Sequence, residues 1–208
     1  LKYLYGITKV LLNLDVNIYE NCPVEKIEET NDGVKVKTKQ CAVKAKYAVV
    51  GCNGYLDNLL GKVRYKFMPI NNYIIATEPL GEKKAREFIH NNYAVCDTRF
   101  IIDYYRFSED WRMLFGGSET YTSTFVKNPQ KFVSNRMYKI FPDLKNYKID
   151  FSWGGSLAIT VNRLPHFGTI MNGKILYAHG YSGHGLGLST LAGKLIAEKI
   201  SGFADRFN

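Results

Sequence analysis

Four glycines, Gly180, Gly183, Gly185 and Gly187, crowd one short stretch that reads HGYSGHGLG. An apolar run from Ile175 to Ala178 precedes them, and Leu188, Leu191, Leu195, Ile196 and Ile200 follow at helical spacing. The pattern predicts a strand, a tight turn and a helix, with Ser189, Ala192 and Gly193 letting the helix pack closely. The first turn of such a helix has unpaired N–H groups and a partial positive charge, which suits an anion or an electron-rich carbonyl. Glycine lets a ligand approach the main chain with no Cβ in the way. The spacing is not G-x-G-x-x-G, because Leu188 occupies the last position. Too little chain follows before Asn208 for a second strand ending in a ribose-binding acid. On the turn alone, two readings stand level: the second wall of a dinucleotide site, or a packed strand–helix connection.

The elements that would position this turn follow from periodicity. Leu4, Ile7, Leu11 and Leu14 predict an amphipathic helix over residues 1–14, and Val16 to Glu20 reads as a short strand. Val24 to Thr30 and Gly33 to Thr38 form a hairpin through the Asn31-Asp32-Gly33 corner. Tyr47 to Val50 is a strand that stops on the glycines of GCNGY. From Lys66 to Pro79 and from Phe100 to Gly117 the chain turns rich in Tyr, Ile, Phe and Thr. Helices are expected at Glu82 to His90 and at Pro129 to Ile140, the latter with Pro at its start and Pro142 beyond its end. Ile149 to Ala158 is another strand. The fold class expected is α+β (mixed α/β): a partial Rossmann-like nucleotide-binding domain over 1–62 and 159–208, interrupted by an antiparallel-sheet domain over 63–158.

The 208 residues carry a net charge of +9. The lysines from Lys35 to Lys46 alternate with other residues, as on a strand with one solvated face, and no basic block or nucleic-acid motif accompanies them. No nucleic-acid partner is expected. No apolar run nears the ~20 residues of a membrane span. Cys22, Cys41, Cys52 and Cys96 are irregularly spaced, which argues against a metal site and for a reducing compartment, with the cytoplasm as the default.

Three segments resemble the C-terminal part of FAD-dependent amine oxidoreductases, the superfamily of D-amino-acid oxidase, glycine oxidase and sarcosine oxidase. They are Trp153-Gly154-Gly155, the run NRLPHFG at 162–168 and the run HGYSGHG at 179–185. KYLYG at 2–6, PVEKI at 23–27, VVGCNGY at 49–55, PINNYIIATEPL at 69–80 and DYYRFSEDWRMLFGG at 103–117 resemble the gamma-glutamylputrescine oxidoreductase branch in the same order. The family opens with a G-x-G-x-x-G segment that this chain does not contain. The expectation is therefore a C-terminal fragment with weak FAD binding alone, completed by that missing N-terminal segment; a non-catalytic subunit pairing with a separate N-terminal chain is the alternative.

The resemblance implies roles for individual residues. Val24 would meet the adenine side through its backbone. Gly51, Asn53, Gly54 and Tyr55 would pass the diphosphate or ribityl region. Pro165 belongs to the stretch that runs along the flavin, whereas His166 beside it reads as a turn histidine. Gly180, Ser182, Gly183, His184, Gly185 and Leu186 would lie at the flavin ring, where donors at a helix start stabilise charge on the N1–C2=O edge. Tyr104, Arg106 and His184 are the candidate catalytic residues; alternation puts Tyr104 and Arg106 on one face of a strand and Tyr105 on the other. Arg106 would meet a substrate carboxylate, the alternative being an exposed arginine on a tyrosine-rich sheet, and Trp111 and Trp153 would supply aromatic walls. No lysine lies within 111–117, where sarcosine-oxidase relatives activate oxygen, which leaves oxidase and dehydrogenase both open. No cysteine lies within 153–168, so the FAD is expected to be noncovalent. The partners implied are a small amine or amino-acid substrate, and oxygen or another electron acceptor.

Overall fold

A computed structural model describes residues 1–122 and 124–203 and divides into two compact units. The first comprises Leu1–Ala48 with Thr169–Ile175, and the second comprises Val49–Gly168 with Leu176 onward. In the first unit, α1 (Lys2–Asn13) is the expected amphipathic helix, although none of its residues is buried. β1 (Val24–Thr30), β2 (Gly33–Thr38) and β3 (Ala42–Ala45) make an antiparallel sheet in that order. The hairpin closes as predicted, with Thr30 opposite Gly33. Only glycine fits at that corner, since a Cβ on Gly33 would overlap the Ala45 carbonyl. Residues 16–20 form no strand: Val16, Ile18 and Tyr19 are exposed, and an extended run without a ladder partner gains too little to persist.

The second unit begins at the end of β4 (Ala48–Val50) and continues through β5 (Phe67–Pro79), α2 (Glu82–Phe88), β6 (Val95–Cys96), β7 (Tyr104–Phe107) and β8 (Arg112–Thr120). It goes on with α3 (Pro129–Ile140), β9 (Ile149–Thr160), β10 (His166–Ile170) as far as Gly168, β11 (Ile175–His179) from Leu176, and α4 (Gly185–Ile200). The tyrosine-rich middle block is the expected antiparallel sheet, ordered β6-β7-β8-β5-β9. The strand-rich stretch over 100–117 holds two strands, because the Ser108–Asp110 turn folds β7 back on β8; Ser108 Oγ donates to Asp110 at 2.6 Å. A smaller sheet runs β10-β11-β4 and leads into α4. Among the described residues no helix is long and apolar enough to cross a membrane.

One face of the five-stranded sheet is dry. Tyr73, Ile75, Phe107, Met113 and Phe115 pack there against Val133 and Met137 of α3. Tyr73 is fully enclosed, yet its hydroxyl meets Thr120 Oγ1 at 3.0 Å and accepts from the Val126 N–H at 3.0 Å, so its burial leaves no polar group unpaired. Asp103, also buried, takes a two-pronged grip from Arg136 of α3 at 2.9 and 3.0 Å and a third contact from Arg99. α3 starts where Asn128 caps it, accepting from the Lys131 N–H at 2.9 Å, with Pro129 in its first turn. Asn128→Ala is expected to lower stability by about 1 kcal/mol, read as a shift in urea midpoint with unchanged slope. Asn128→Asp should cost little.

Candidate functional site

The other face of the same sheet is open, and its side chains line a cavity of about 560 Å³. Cross-strand pairs build the floor: Met68 opposite Ile159, Ile70 opposite Leu157, and Asn72 opposite Glu119. Tyr104 of β7 and the Tyr121 that follows β8 complete the polar side. Ser182, Gly183 and His184, from the turn before α4, form another wall. Two expected groups, the strand tyrosine Tyr104 and the glycine turn, thus share one cavity of a size suited to a small organic ligand.

Glu119 reaches this face through a bulge. Tyr73 pairs with Gly117 and Asn72 with Glu119, so Ser118 is the extra residue, at φ 63°, after Gly117 at φ 144°. Strict alternation would put Glu119 on the dry face with Met113 and Phe115; the bulge turns it over. The carboxyl is half-buried, and desolvation pushes its pKa up, against lowering by the Arg163 charge and by hydrogen bonds from Asn72 and Tyr121. Tyr104 Oη donates to Asn72 Oδ1 at 2.6 Å, which orients the Asn72 amide nitrogen toward the carboxylate. Burial, with the Glu119 charge adding to it, pushes the Tyr104 phenol up to about 12, so it stays a donor at neutral pH. The ring of Tyr104 crosses Gly116, where a Cβ would overlap it.

Arg106 does not line the cavity. It stands two residues beyond Tyr104, opposite Leu114, is exposed, and donates from Nε to the Phe107 carbonyl at 3.3 Å. The cation that does line it is Arg163, at φ 60°, whose guanidinium lies 5.0 Å above the Phe100 ring. Tyr105 faces the core, stacked on Phe115. Trp111 packs at the edge of that core under Arg86, and Trp153, opposite Ile74, is exposed outside the cavity.

The glycine turn is a built object rather than a slack loop. The His179 ring accepts from the Asn53 N–H at its Nδ1, 3.1 Å away, and Asn53 Oδ1 accepts from the Gly180 N–H at 3.0 Å. This double clasp ties the NGY turn, Asn53–Tyr55, to the end of β11. Tyr55 extends it, its hydroxyl accepting from the Ser156 N–H at 2.9 Å, and Gly54 lies so close to the Ser156 carbonyl that a Cβ would not fit. Ser182, at φ 49°, donates its N–H to the Ala158 carbonyl and its hydroxyl to the Gly180 carbonyl. Gly183, at φ 94°, and Gly187 face open space. No side chain caps α4, and the first intrahelical bond is Leu188 N–H to the His184 carbonyl, so the donors of Gly185, Leu186 and Gly187 point outward. A second, open recess of about 510 Å³ lies against them, lined by Gly183, His184, Leu186, Gly187 and Leu188. These free donors, at the positive end of a 16-residue helix, fit the electron-rich edge of a flavin ring.

Gly51 is exposed, Pro165 leads into β10, and Val24 opens β1 in the first unit, partly exposed. His166 and His179 flank the Tyr177 ring at 5.3 and 5.7 Å. Burial lowers the pKa of both, His179 to about 4. Sequence reasoning missed Asn72, Glu119, Arg163 and the role of His179. The Gly116-Gly117 pair at a strand end was the available signal, since glycine inside a strand marks bulges. Among the described residues no cluster of three or more His, Cys, Asp or Glu could hold a metal, and all four cysteines are free.

The DAO family, described as FAD dependent oxidoreductase, matches residues 1–199. The chain is 40% identical over 212 aligned residues to the probable oxidoreductase OrdL of Haemophilus influenzae, covering 100% of this chain and 48% of that protein. It is 40% identical over 192 residues to the gamma-glutamylputrescine oxidoreductase of Escherichia coli, covering 92% and 45%. Among solved structures, the L-proline dehydrogenase of P. horikoshii superposes with a TM-score of 0.67 at 25% identity, covering 87% of this chain and 50% of that one. The chain thus spans about half the length of the curated relatives it matches.

Proposed function

The chain belongs to the FAD-dependent oxidoreductase family, and from that membership we propose that it forms the substrate-holding part of a flavoenzyme that oxidises the C–N bond of an amine to an imine. The observation that supports this is the sharing of Gly183 and His184 between the side-chain cavity and the recess at the start of α4. An amine in the first then lies beside whatever edge the helix donors hold in the second. Bound FAD supplies the acceptor for the two electrons, and hydrolysis of the imine releases the carbonyl product.

The protein's own residues orient and shield. Met68, Ile70, Leu157 and Ile159 exclude water from the amine's carbon chain, while Tyr104, Asn72 and Glu119 offer polar contacts. The main-chain donors of Gly185, Leu186 and Gly187, with His184 at the cap, stabilise negative charge on the flavin edge. In this reading 63–158 holds substrate, while 1–62 and 159–208 hold the cofactor noncovalently. A G-x-G-x-x-G segment, on this polypeptide or another, completes the pyrophosphate cradle. The amine is of the gamma-glutamylputrescine type, the electron acceptor is oxygen or another oxidant, and the setting is the cytoplasm.

The test is anaerobic reduction of the FAD-loaded protein. Addition of gamma-glutamylputrescine should bleach the visible flavin absorbance and release an aldehyde. A flavin that remains bound yet oxidised with every amine and amino acid supplied would overturn the proposal.

A further inference from the structure

We propose that Glu119 is the residue that selects the substrate, receiving an aliphatic ammonium, so that the cavity takes amines whose nitrogen has no neighbouring carboxylate. This rests on the reading of the cavity as the amine's site and goes further by naming the recognising group and the substrates it turns away.

Glu119 is the one carboxylate among the described residues that line the cavity. The bulge at Ser118 turns it there instead of into the core. Three neutral neighbours hold it in place: Tyr104 fixes the Asn72 amide, and Asn72 and Tyr121 hydrogen-bond the carboxylate. Neutral donors leave the negative charge uncancelled. Among the described residues no ion pair within 4.0 Å joins Glu119 to a cation; Arg163 lowers its pKa from a distance while lying over Phe100. A half-desolvated carboxylate oriented by neutral donors gains most from an incoming cation, because the cost of removing it from water is already met by the fold. The surrounding wall of Met68, Ile70, Leu157 and Ile159 is apolar and accepts an alkyl chain. A carboxylate on the carbon bearing the nitrogen would be brought against Glu119 and repelled. Arg106, the cation expected to receive it, lies off the cavity. Arg163, which does line it, has its guanidinium over Phe100 with no ion pair to Glu119, so a substrate carboxylate is accepted at Arg163, apart from the nitrogen at Glu119.

Three ligands of one shape separate charge from fit: tert-butylammonium, tert-butanol and trimethylacetate. The ammonium carries no hydrogen on the carbon bearing nitrogen and cannot be oxidised, so binding to the FAD-loaded protein is read by calorimetry without turnover. In the unaltered protein the ammonium should bind tightest. Glu119→Gln, which keeps size and hydrogen bonding, should weaken it about ten- to hundred-fold, as expected for a bond to a charged group. It should leave tert-butanol unchanged and strengthen trimethylacetate. Equal ammonium affinity in both proteins, or trimethylacetate binding tightest in the unaltered one, overturns the assignment of Glu119. Either result is compatible with flavin bleaching by an amino acid, so the two proposals fail separately.

Discussion

Gly180→Ala is expected to destabilise the protein by roughly 3–5 kcal/mol and to disrupt the turn that leads into α4. Two independent costs meet at this residue. Its φ of +72° lies in the left-handed region, where a side chain costs about 1–2 kcal/mol. A Cβ there would also overlap the Thr160 methyl Cγ2, and that methyl cannot swing aside. Threonine is stiff at χ1, and its hydroxyl is committed to the Leu164 carbonyl at 2.7 Å. The displaced backbone would pull the Gly180 N–H from Asn53 Oδ1 and open the clasp. Urea unfolding of Gly180→Ala, Thr160→Ser and the double variant apportions the loss. Thr160→Ser removes the methyl and keeps the hydroxyl, so it should recover the steric part and leave about 1–2 kcal/mol of backbone cost. Gly183→Ala is the contrast: φ is +94° but nothing stands within 4 Å, and only the backbone cost should appear. Equal losses at the two positions would refute the steric account.

Acid should weaken the same turn through His179. The ring is fully buried, accepts the Asn53 N–H at Nδ1, and so carries its proton on Nε2, which has no partner among the described residues. Burial penalises a charged ring in this dry site and the neighbouring His166 adds repulsion, which is why the pKa falls from 6.5 to about 4; a proton on Nδ1 would also break the clasp. Between those values the unfolded chain takes up a proton that the native ring refuses. Stability from this group is therefore complete above about pH 6.5, declines as the pH falls toward 4, and changes no further below that. At ~1.4 kcal/mol per pH unit the loss is on the order of 3 kcal/mol. Parallel urea titrations from about pH 7.5 to about pH 4 check it. His179→Asn, with an acceptor but no titrating group, should show a shallower acid limb. An unchanged limb would remove His179 from the account.

Local patterns in the chain were legible wherever one physical cause acts on neighbouring residues. The Asp32-Gly33 corner closes its hairpin because only glycine fits against the Ala45 carbonyl. Pro129 and Pro142 bound α3 through their missing donors, while the Asn128 cap emerged only in the structure. The strand–turn–helix over 175–200 follows from apolar period and glycine content, and the antiparallel middle sheet follows from its aromatic, β-branched runs. The strand-like composition of residues 100–117 is interrupted at Ser108-Glu109-Asp110, where the turn between β7 and β8 falls. Val16–Glu20 has strand composition too, but no neighbour supplies a ladder.

By itself, then, the sequence determined the glycine turn, its helix and the family to which both belong, because backbone freedom, apolar period and motif order are properties of contiguous residues. Which side chains face the cavity was decided only in three dimensions. Glu119 owes its place to a one-residue bulge that reverses alternation, and Arg106 is excluded by its row on the sheet rather than by its face. His179 owes its neutrality to burial and to an N–H donated from residue 53, far away along the chain. Charge, pKa and specificity depend on what is desolvated and what stands opposite, and tertiary packing alone sets both.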